Sequence, residues 1–359
     1  MKEVAILGVG SFLPDEVRRN DWWPDEAVRK WTQTAVDSRP RIEDALAKAP
    51  TEGQREVLKA MLEVQADPFR GTLERRVMAS SMESSGMEVE AARSAIKAAG
   101  IRADEVDVLL SYSLVPDDLT IPNGVIIHDK LGLKDECLTT GVEGTCNSFL
   151  MQLTLAEQLI ATGRASHALL VQSCGISRMM DPFDQQSPWF GDGAAAVVLG
   201  AARKGGRIAG RSTITDSRLR EAVIIGVQGA KWYEGAGRPR LMAKHHAAAY
   251  QILLGFADYG KRVVDAALVD AGLPKKDVTF FACHQAQLWQ RRVAQQHCGL
   301  DDARSLDTFA WAGNLGSANI PLVLDVAQRE GVLRDGDLVA MYGGGAGVTV
   351  SGLIAKWER

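Results

Sequence analysis

The chain has 359 residues, 46% of them hydrophobic and 24% charged, enough for a large globular core. Its formal net charge of -4, with no block of lysine or arginine, excludes an electrostatic footprint for nucleic acid, and no apolar run approaches the roughly 20 residues of a membrane span. Five cysteines (Cys137, Cys146, Cys174, Cys283, Cys298) at irregular spacing, without CxxC pairs, argue against a metal site or a disulfide scaffold and for reduced thiols in the cytoplasm.

The opening Met-Lys-Glu-Val-Ala-Ile-Leu-Gly-Val-Gly has too short an apolar core for a secretory signal and predicts a first strand. Residues from about 20 to 70 carry Trp22, Trp23, Trp31 and several helical patterns. Thr51-x-x-Gln54 forms a capping box before Val57, Leu58, Met61 and Leu62, and Asp67-Pro68 ends that helix. This segment has no counterpart elsewhere in the chain. It is either a surface helical excursion packing its tryptophans on the body, or a lid or substrate-tunnel wall.

Ala91 to Leu110 predicts helix, glycine stop, acidic turn and strand, and Arg262 to Phe281 repeats that order. Cys146 opens an apolar stretch to Gly163, followed by the strand Ala168-Leu-Leu-Val171. Asn314 opens a similar stretch to Gly331, with Asp337 to Ala340 after it. Gly100 matches Gly272, Leu131-Gly-Leu133 matches Cys298-Gly-Leu300, and Gly191 to Gly200 matches Gly343 to Gly352, each of the last pair a glycine turn entering a β-branched strand. A repeat of this size means two α/β halves with helices covering the sheets. We place the boundary so that residues 1–205 form the half with Cys146 and the helical insertion, and residues 206–359 the half with His284 and Asn314.

A cysteine at a helix start faces unpaired N–H groups and the positive end of the helix dipole, which favour thiolate. Gly144, Thr145 and Ser148 leave room for a substrate, so Cys146 is the candidate nucleophile, whereas the other four cysteines lie on apolar strands or near turns. His284 stands where an apolar strand meets a polar segment, where α/β sites form. Asn314, between Gly313 and Gly316, is equally readable as a left-handed turn residue or a helix cap. A cysteine with distant histidine and asparagine also fits papain-like proteases, but their local cysteine signature is absent. Gly343 to Gly345 lacks the Gly-Lys-Ser/Thr of a phosphate loop, and Gly8-x-Gly10 lacks the third glycine of a dinucleotide fingerprint.

On these landmarks the chain resembles the ketoacyl synthase III branch of the thiolase superfamily. The matches are Gly8-Val-Gly-Ser-Phe-Leu-Pro14, Glu74-Arg-Arg76, the Cys146 segment, Gly191-Asp-Gly-Ala, His284-Gln-Ala, Gly313-Asn314 with Ile320-Pro321, and Gly343-Gly-Gly345. Their order and spacing cover nearly the whole chain outside the insertion. The resemblance implies a five-layered αβαβα thiolase fold of two pseudo-symmetric halves, a homodimer, and a Cys146–His284–Asn314 site at their junction. It implies an acyl group loaded on Cys146 from a CoA or acyl-carrier-protein thioester, with no metal and no permanently bound cofactor. His284 and Asn314 would activate a malonyl-type thioester for condensation, and the N–H groups of Cys146 and Gly344 would form the oxyanion hole. Substrate contacts are expected at Phe69, Arg76, Ile121, His245, Gln287 and Gly345.

Departures from the family pattern point to specialised metabolism, polyketide-like or fatty-acid-like. The usual His-Gln-Ala-Asn-x-Arg is here His284-Gln-Ala-Gln287-Leu-Trp289, which removes an arginine used on the carrier protein. A family lysine has no match in Met242 to Ala249, and the asparagine segment is Asn-Leu-Gly rather than Asn-Thr-Ser. Two alternatives stay open: an O- or N-acyltransferase moving the Cys146-bound acyl group to an alcohol or amine, and a non-catalytic heterodimer partner of a condensing enzyme.

Overall fold

The computed structural model describes residues 2–358. The first half builds β1 (Val4–Phe12), β2 (Val17–Arg19), α1 (Asp25–Ala47), α2 (Glu52–Glu63), β3 (Glu74–Arg76), α3 (Ser84–Ala99), β4 (Val108–Ser113), α4 (Asn123–Leu131), β5 (Leu138–Gly141), α5 (Ser148–Ala161), β6 (His167–Cys174) and β7 (Gly193–Ala201). The second builds β8 (Arg207–Thr215), β9 (Val223–Gly226), β10 (Arg240–Ala243), α6 (His246–Leu254), α7 (Phe256–Ala271), β11 (Phe280–Cys283), α8 (Gln290–His297), β12 (Arg304–Ser305), α9 (Phe309–Ala312), α10 (Asn319–Arg329), β13 (Leu338–Gly345) and β14 (Thr349–Lys356).

The strands form two five-stranded sheets, ordered β1-β7-β6-β4-β5 and β8-β14-β13-β11-β12 when the second is read from its β8 edge. Parallel and antiparallel pairings match position by position: β4 is parallel to β5 and β6, as β11 is to β12 and β13, while β7 and β14 run antiparallel to both neighbours. The duplication reaches the backbone dihedrals. Gly100 and Gly272, Gly132 and Gly299, and Gly163 and Gly331 all have φ between 63° and 76°, the left-handed stop that a side chain disfavours.

Core patterning sets the layers. Phe149, Leu150, Leu153 and Ile160 of α5 and Ile320, Val323 and Leu324 of α10 share one core with inner-face residues of both sheets, including Leu110, Leu170, Phe280 and Met341. A helix buried on several sides must be interior, so α5 and α10 form the middle layer. Outside the first sheet, α3 supplies Met87, Ala91, Ala92 and Ala95 to a second core, and outside the other, α7 and α8 supply Val263, Val264 and Val293 to a third. The architecture is the five-layered αβαβα thiolase fold.

The segment with α1 and α2 belongs to that third core: Ile42, Val57, Leu58 and Ala60 pack with Phe256, Trp289 and Tyr342. Thr51 caps α2, accepting from the Gln54 N–H at 3.2 Å and donating to Asp258 Oδ2 at 2.6 Å, while Asp258 Oδ1 meets His297 Nε2 at 3.0 Å. Trp23 and Trp31 are buried and touch Phe69, and Trp22 is half exposed against Phe183. The tail of the segment reaches the two loops that carry His284 and Asn314. A Cβ on Gly71 would overlap Leu288, Leu73 N–H donates to Ala310 O at 2.7 Å, and Trp189 Nε1 donates to Pro68 O at 3.1 Å. Among the described residues no helix is long and apolar enough to cross a membrane.

Candidate active site

The middle layer ends where the two halves meet, and the three predicted residues converge there around Gly316. Cys146 lies in a short 3-10 turn, Thr145–Asn147, that feeds α5. Ser148 fixes this turn by accepting from the Gly144 N–H at 2.8 Å and donating to Thr145 O at 2.7 Å. Thr145 has φ 51°, a left-handed conformation that strains a β-branched residue. Its Oγ1 bonds Gly144 O at 2.7 Å and Ala346 O, in the other half, at 3.3 Å. Cys146 Sγ lies 4.0 Å from the point a Cβ on Gly316 would occupy, and Cys174 Sγ lies at the same distance.

Asn314 is held from both sides. Its N–H donates to Trp189 O at 2.8 Å, its carbonyl accepts from Gly191 N–H at 3.3 Å, and its Oδ1 accepts from Gly316 N–H at 2.9 Å. The Gly191-Asp-Gly193 motif gains a physical role here. A Cβ on Gly191 would overlap the Ala312 carbonyl, and buried Asp192 accepts from Met78 N–H at 2.9 Å and Ser177 N–H at 3.0 Å. Gln285, beside His284, clamps the approach to Asn314 by accepting from Thr308 N–H at 2.8 Å and donating to Leu306 O at 2.9 Å.

His284 is 4% exposed at the end of β11, its N–H donating to Tyr342 O at 2.9 Å. Burial pushes its imidazole down to about 4, opposed by the nearby Gly316 backbone and Asn319 side chain, so it is neutral at pH 7. The Asn319 group lies near the ring without an aligned bond: His284 Nδ1 and both polar atoms of the Asn319 amide lack a hydrogen-bond partner. Cys146 keeps a partly open face, yet protein encloses its sulfur and burial pushes the thiol up to about 12, with only its own backbone N–H opposing. Burial thus works against the thiolate that the helix start favours.

The glycine triplet closes the site. Cβ atoms on Gly343 and Gly345 would point at the Cys146 turn, the first 2.9 Å from Asn147 Oδ1 and the second overlapping Gly144 O and Thr145 Oγ1, while Gly344 faces Val350 and Tyr342. The other expected contacts each have surroundings of their own. Phe69 packs on Trp23 and Trp31, and Arg76 donates to Pro14 O at 3.2 Å. Ile121 is 50% exposed on the loop before α4. His245 is exposed beside Glu221, with Nε2 at 3.2 Å, and Gln287 donates its N–H to Gln290 Oε1 at 3.1 Å.

Sequence reasoning named Thr145 and Gly316 only as small neighbours of Cys146 and Asn314, and did not flag Asn319. The signal for Asn319 lay in the spacing Asn314-x-Gly316-x-x-Asn319. A cavity of about 460 Å³ opens elsewhere, lined by Gln54, Asp216, Arg218 and Tyr259 among others, and none of its residues belongs to the Cys146, His284 or Asn314 segments. Among the described residues no three His, Cys, Asp or Glu side chains gather as a metal site.

Two family models match the chain: 3-oxoacyl-(acyl-carrier-protein) synthase III over residues 141–217 and its C-terminal domain over residues 268–357. The beta-ketoacyl-(acyl-carrier-protein) synthase III of Thiobacillus denitrificans is 30% identical over 288 residues, covering 80% of this chain and 88% of the relative. That of Bacillus cereus is 27% identical, with 99% of each chain covered. Among solved structures, FabH of Pseudomonas aeruginosa superposes with a TM-score of 0.76 at 23% identity, covering 99% of both chains. OleA of Xanthomonas campestris superposes with 0.78 at 18% identity, covering 99% of this chain and 98% of that one.

Proposed function

The chain belongs to the 3-oxoacyl-(acyl-carrier-protein) synthase III family, and from that membership we propose that it loads an acyl group on Cys146 and condenses it with a malonyl-type thioester. The observation that supports this most is the convergence of Cys146, His284 and Asn314 around Gly316 at the junction of the halves.

In loading, Cys146 Sγ attacks the thioester carbonyl of an acyl-CoA or acyl-carrier protein. The carbon–sulfur bond to the carrier breaks, and the Cys146 proton ends on the departing thiol. The second thioester then places its carbonyl oxygen against His284 and the Asn314 amide. A neutral imidazole with a value near 4 donates a hydrogen bond without delivering its proton. Carbon dioxide leaves, the resulting carbanion attacks the acyl carbon, and Cys146 is released as thiol after taking up one proton. Backbone N–H groups of Cys146 and Gly344 serve the oxyanion, each such donor being worth roughly 3–4 kcal/mol.

We assign the active form as a homodimer. β5 is the edge of its sheet, and Leu138 on it, Leu119 and Ile121 on the loop before α4, and Val125 on α4 each expose half or more of their surface. An unpaired sheet edge with exposed apolar side chains near it favours a cover.

Intact mass after exposure to acyl-CoAs should show one acyl adduct, lost in Cys146→Ala. With a malonyl thioester, carbon dioxide release should depend on His284 and Asn314. No adduct with any donor would refute the acyl-enzyme, and transfer to an alcohol without carbon dioxide would replace condensation by direct acyl transfer.

A further inference from the structure

The cavity of about 460 Å³ that lies apart from the Cys146, His284 and Asn314 segments has no part in the chemistry above. Three elements wall it: α2 through Gln54, the Ser217–Leu219 turn after β8, and the α6–α7 corner through Gln251, Gly255 and Tyr259. These walls are tied to one another and to the body. A Cβ on Gly53 would overlap the Asp258 carboxylate, so glycine lets α2 approach α7 closely, and Thr51 Oγ1 donates to Asp258 Oδ2 at 2.6 Å. Asp216 and Val348 exchange two main-chain bonds, at 2.8 and 3.0 Å, which hold the turn to the loop between β13 and β14. Tyr259 Oη donates to Asp216 Oδ2 at 2.8 Å and joins α7 to that turn. A cavity with fixed walls and this volume has the form of a small-molecule site.

Its polar groups are unevenly satisfied. Both carboxylates are committed: Asp216 accepts from Arg218 Nε at 2.8 Å, from Arg218 Nη2 at 2.5 Å and from Tyr259, and Asp258 accepts from Thr51 and from His297 Nε2 at 3.0 Å. Arg262, also on the wall, stands one helical turn after Asp258, the spacing of an i,i+4 ion pair. Asp258 is turned to Thr51 and His297 instead. Among the described residues the Arg262 guanidinium therefore has no hydrogen-bond or ion-pair partner, and the side-chain amides of Gln54 and Gln251 have none either. With its carboxylates occupied, the cavity is poorly suited to a cation. A free guanidinium flanked by amide donors suits an oxyanion, and the volume, with Leu219 and the Tyr259 ring on the wall, leaves room for an organic body as well.

We propose that this cavity binds a small organic acid: a carboxylate or phosphate ester whose oxyanion meets Arg262, Gln54 and Gln251 and whose carbon body covers Leu219 and Tyr259. Since α2 and α7 both line the cavity, the ligand bridges the helical segment and the second half, at a place separate from Cys146.

Calorimetric titration of the full-length protein with benzoate, phenyl phosphate, benzamide and inorganic phosphate tests each part. Benzoate or phenyl phosphate should bind saturably, and the tighter of the two identifies the anion. Benzamide, the ring without the charge, and inorganic phosphate, the charge without the ring, should each bind at least about tenfold more weakly. Arg262→Gln should weaken the tighter ligand by about tenfold or more and Gln54→Ala by about threefold or more, as expected for losing a charged and a neutral hydrogen bond. Arg262 has no partner to lose, so without ligand its variant should melt with the wild type. Alkylation of Cys146, verified by intact mass, should leave the affinity unchanged. No saturable binding of either organic anion, full affinity in Arg262→Gln, or benzamide binding as tightly as benzoate each overturns the inference. Loss of binding on alkylation overturns it too, by placing the ligand beside Cys146. None of these readouts depends on acyl transfer, so they stand or fall apart from the condensation proposed above.

Discussion

Gly345→Ala is expected to disable Cys146 while leaving the protein folded. The new methyl group would overlap the Gly144 carbonyl oxygen and Thr145 Oγ1, with Asn147 N at 3.2 Å. The first and last are backbone atoms of a turn already pinned by Ser148, so relief means moving the turn by about 1 Å against ordinary van der Waals separation. A displacement of that size at a reacting atom costs about 100-fold in rate. Overpacking of this kind costs about 1–3 kcal/mol, below the roughly 5–15 kcal/mol that holds a domain together. Gly86→Ala, on α3, is the control, since nothing lies within 4 Å of its methyl. Acylation rate by intact mass, with thermal melting of both variants, separates the outcomes. Loading by Gly345→Ala within threefold of wild type, at unchanged melting temperature, would refute the claimed crowding.

With the Cys146 thiol pushed up to about 12, its alkylation by iodoacetamide should rise roughly tenfold per pH unit from pH 6 to 9; a plateau below pH 8 would mean a stabilised thiolate instead. Glu88 is fully buried, accepts from Ser113, from Ser173 at 2.7 Å and from Asn123 at 2.8 Å, and burial raises its carboxyl from 4.5 to about 7. Its folded value lies above its unfolded one, so the stability it contributes is present below pH 4.5 and is lost as pH rises through 7, by up to ~3 kcal/mol. Denaturant titrations from pH 5 to 8 should show that Glu88→Gln flattens this slope; parallel profiles would contradict the burial argument. Leu58→Ala should lose about 2–5 kcal/mol in the same assay with loading unchanged, because Leu58 packs into the outer core of the second half; a changed acyl preference at full stability would instead favour a lid.

The duplication was legible because its signals are local. Glycine stops at Gly100, Gly163, Gly272 and Gly331 need left-handed backbone, and the structure puts them there. The placing of Cys146, His284 and Asn314 at strand or helix ends followed from patterning that survives folding. Electrostatics was not legible: a helix start predicts a thiolate only if solvent or a cation accompanies it, and enclosure of Cys146 depends on residues far along the chain. The surroundings of Phe69 and His245 were not legible for a related reason. The first is drawn into an aromatic cluster with Trp23 and Trp31, and the second pairs with Glu221 at the surface, both tertiary partners that spacing does not reveal.

The two halves solve the same backbone problem differently, and the difference bears on why the nucleophile sits in the first. Each polar residue follows a positive-φ position, Thr145 at 51° before Cys146 and Gly313 at 71° before Asn314. Glycine tolerates that conformation freely, whereas a threonine pays about 1–2 kcal/mol in strain. Only threonine, however, carries a hydroxyl to tie the turn to Ala346 across the junction. The strain is therefore coupled to a restraint between the halves at the nucleophile itself, with Gly345 packed against the same atoms. Asn314 is tied across the same junction by main-chain bonds, to Trp189 and Gly191 of the first half, with Gly316 holding its amide. One frame thus yields a strained position for the sulfur, tied to the opposite half by a side-chain hydroxyl, and a position for the amide tied to the opposite half by its backbone.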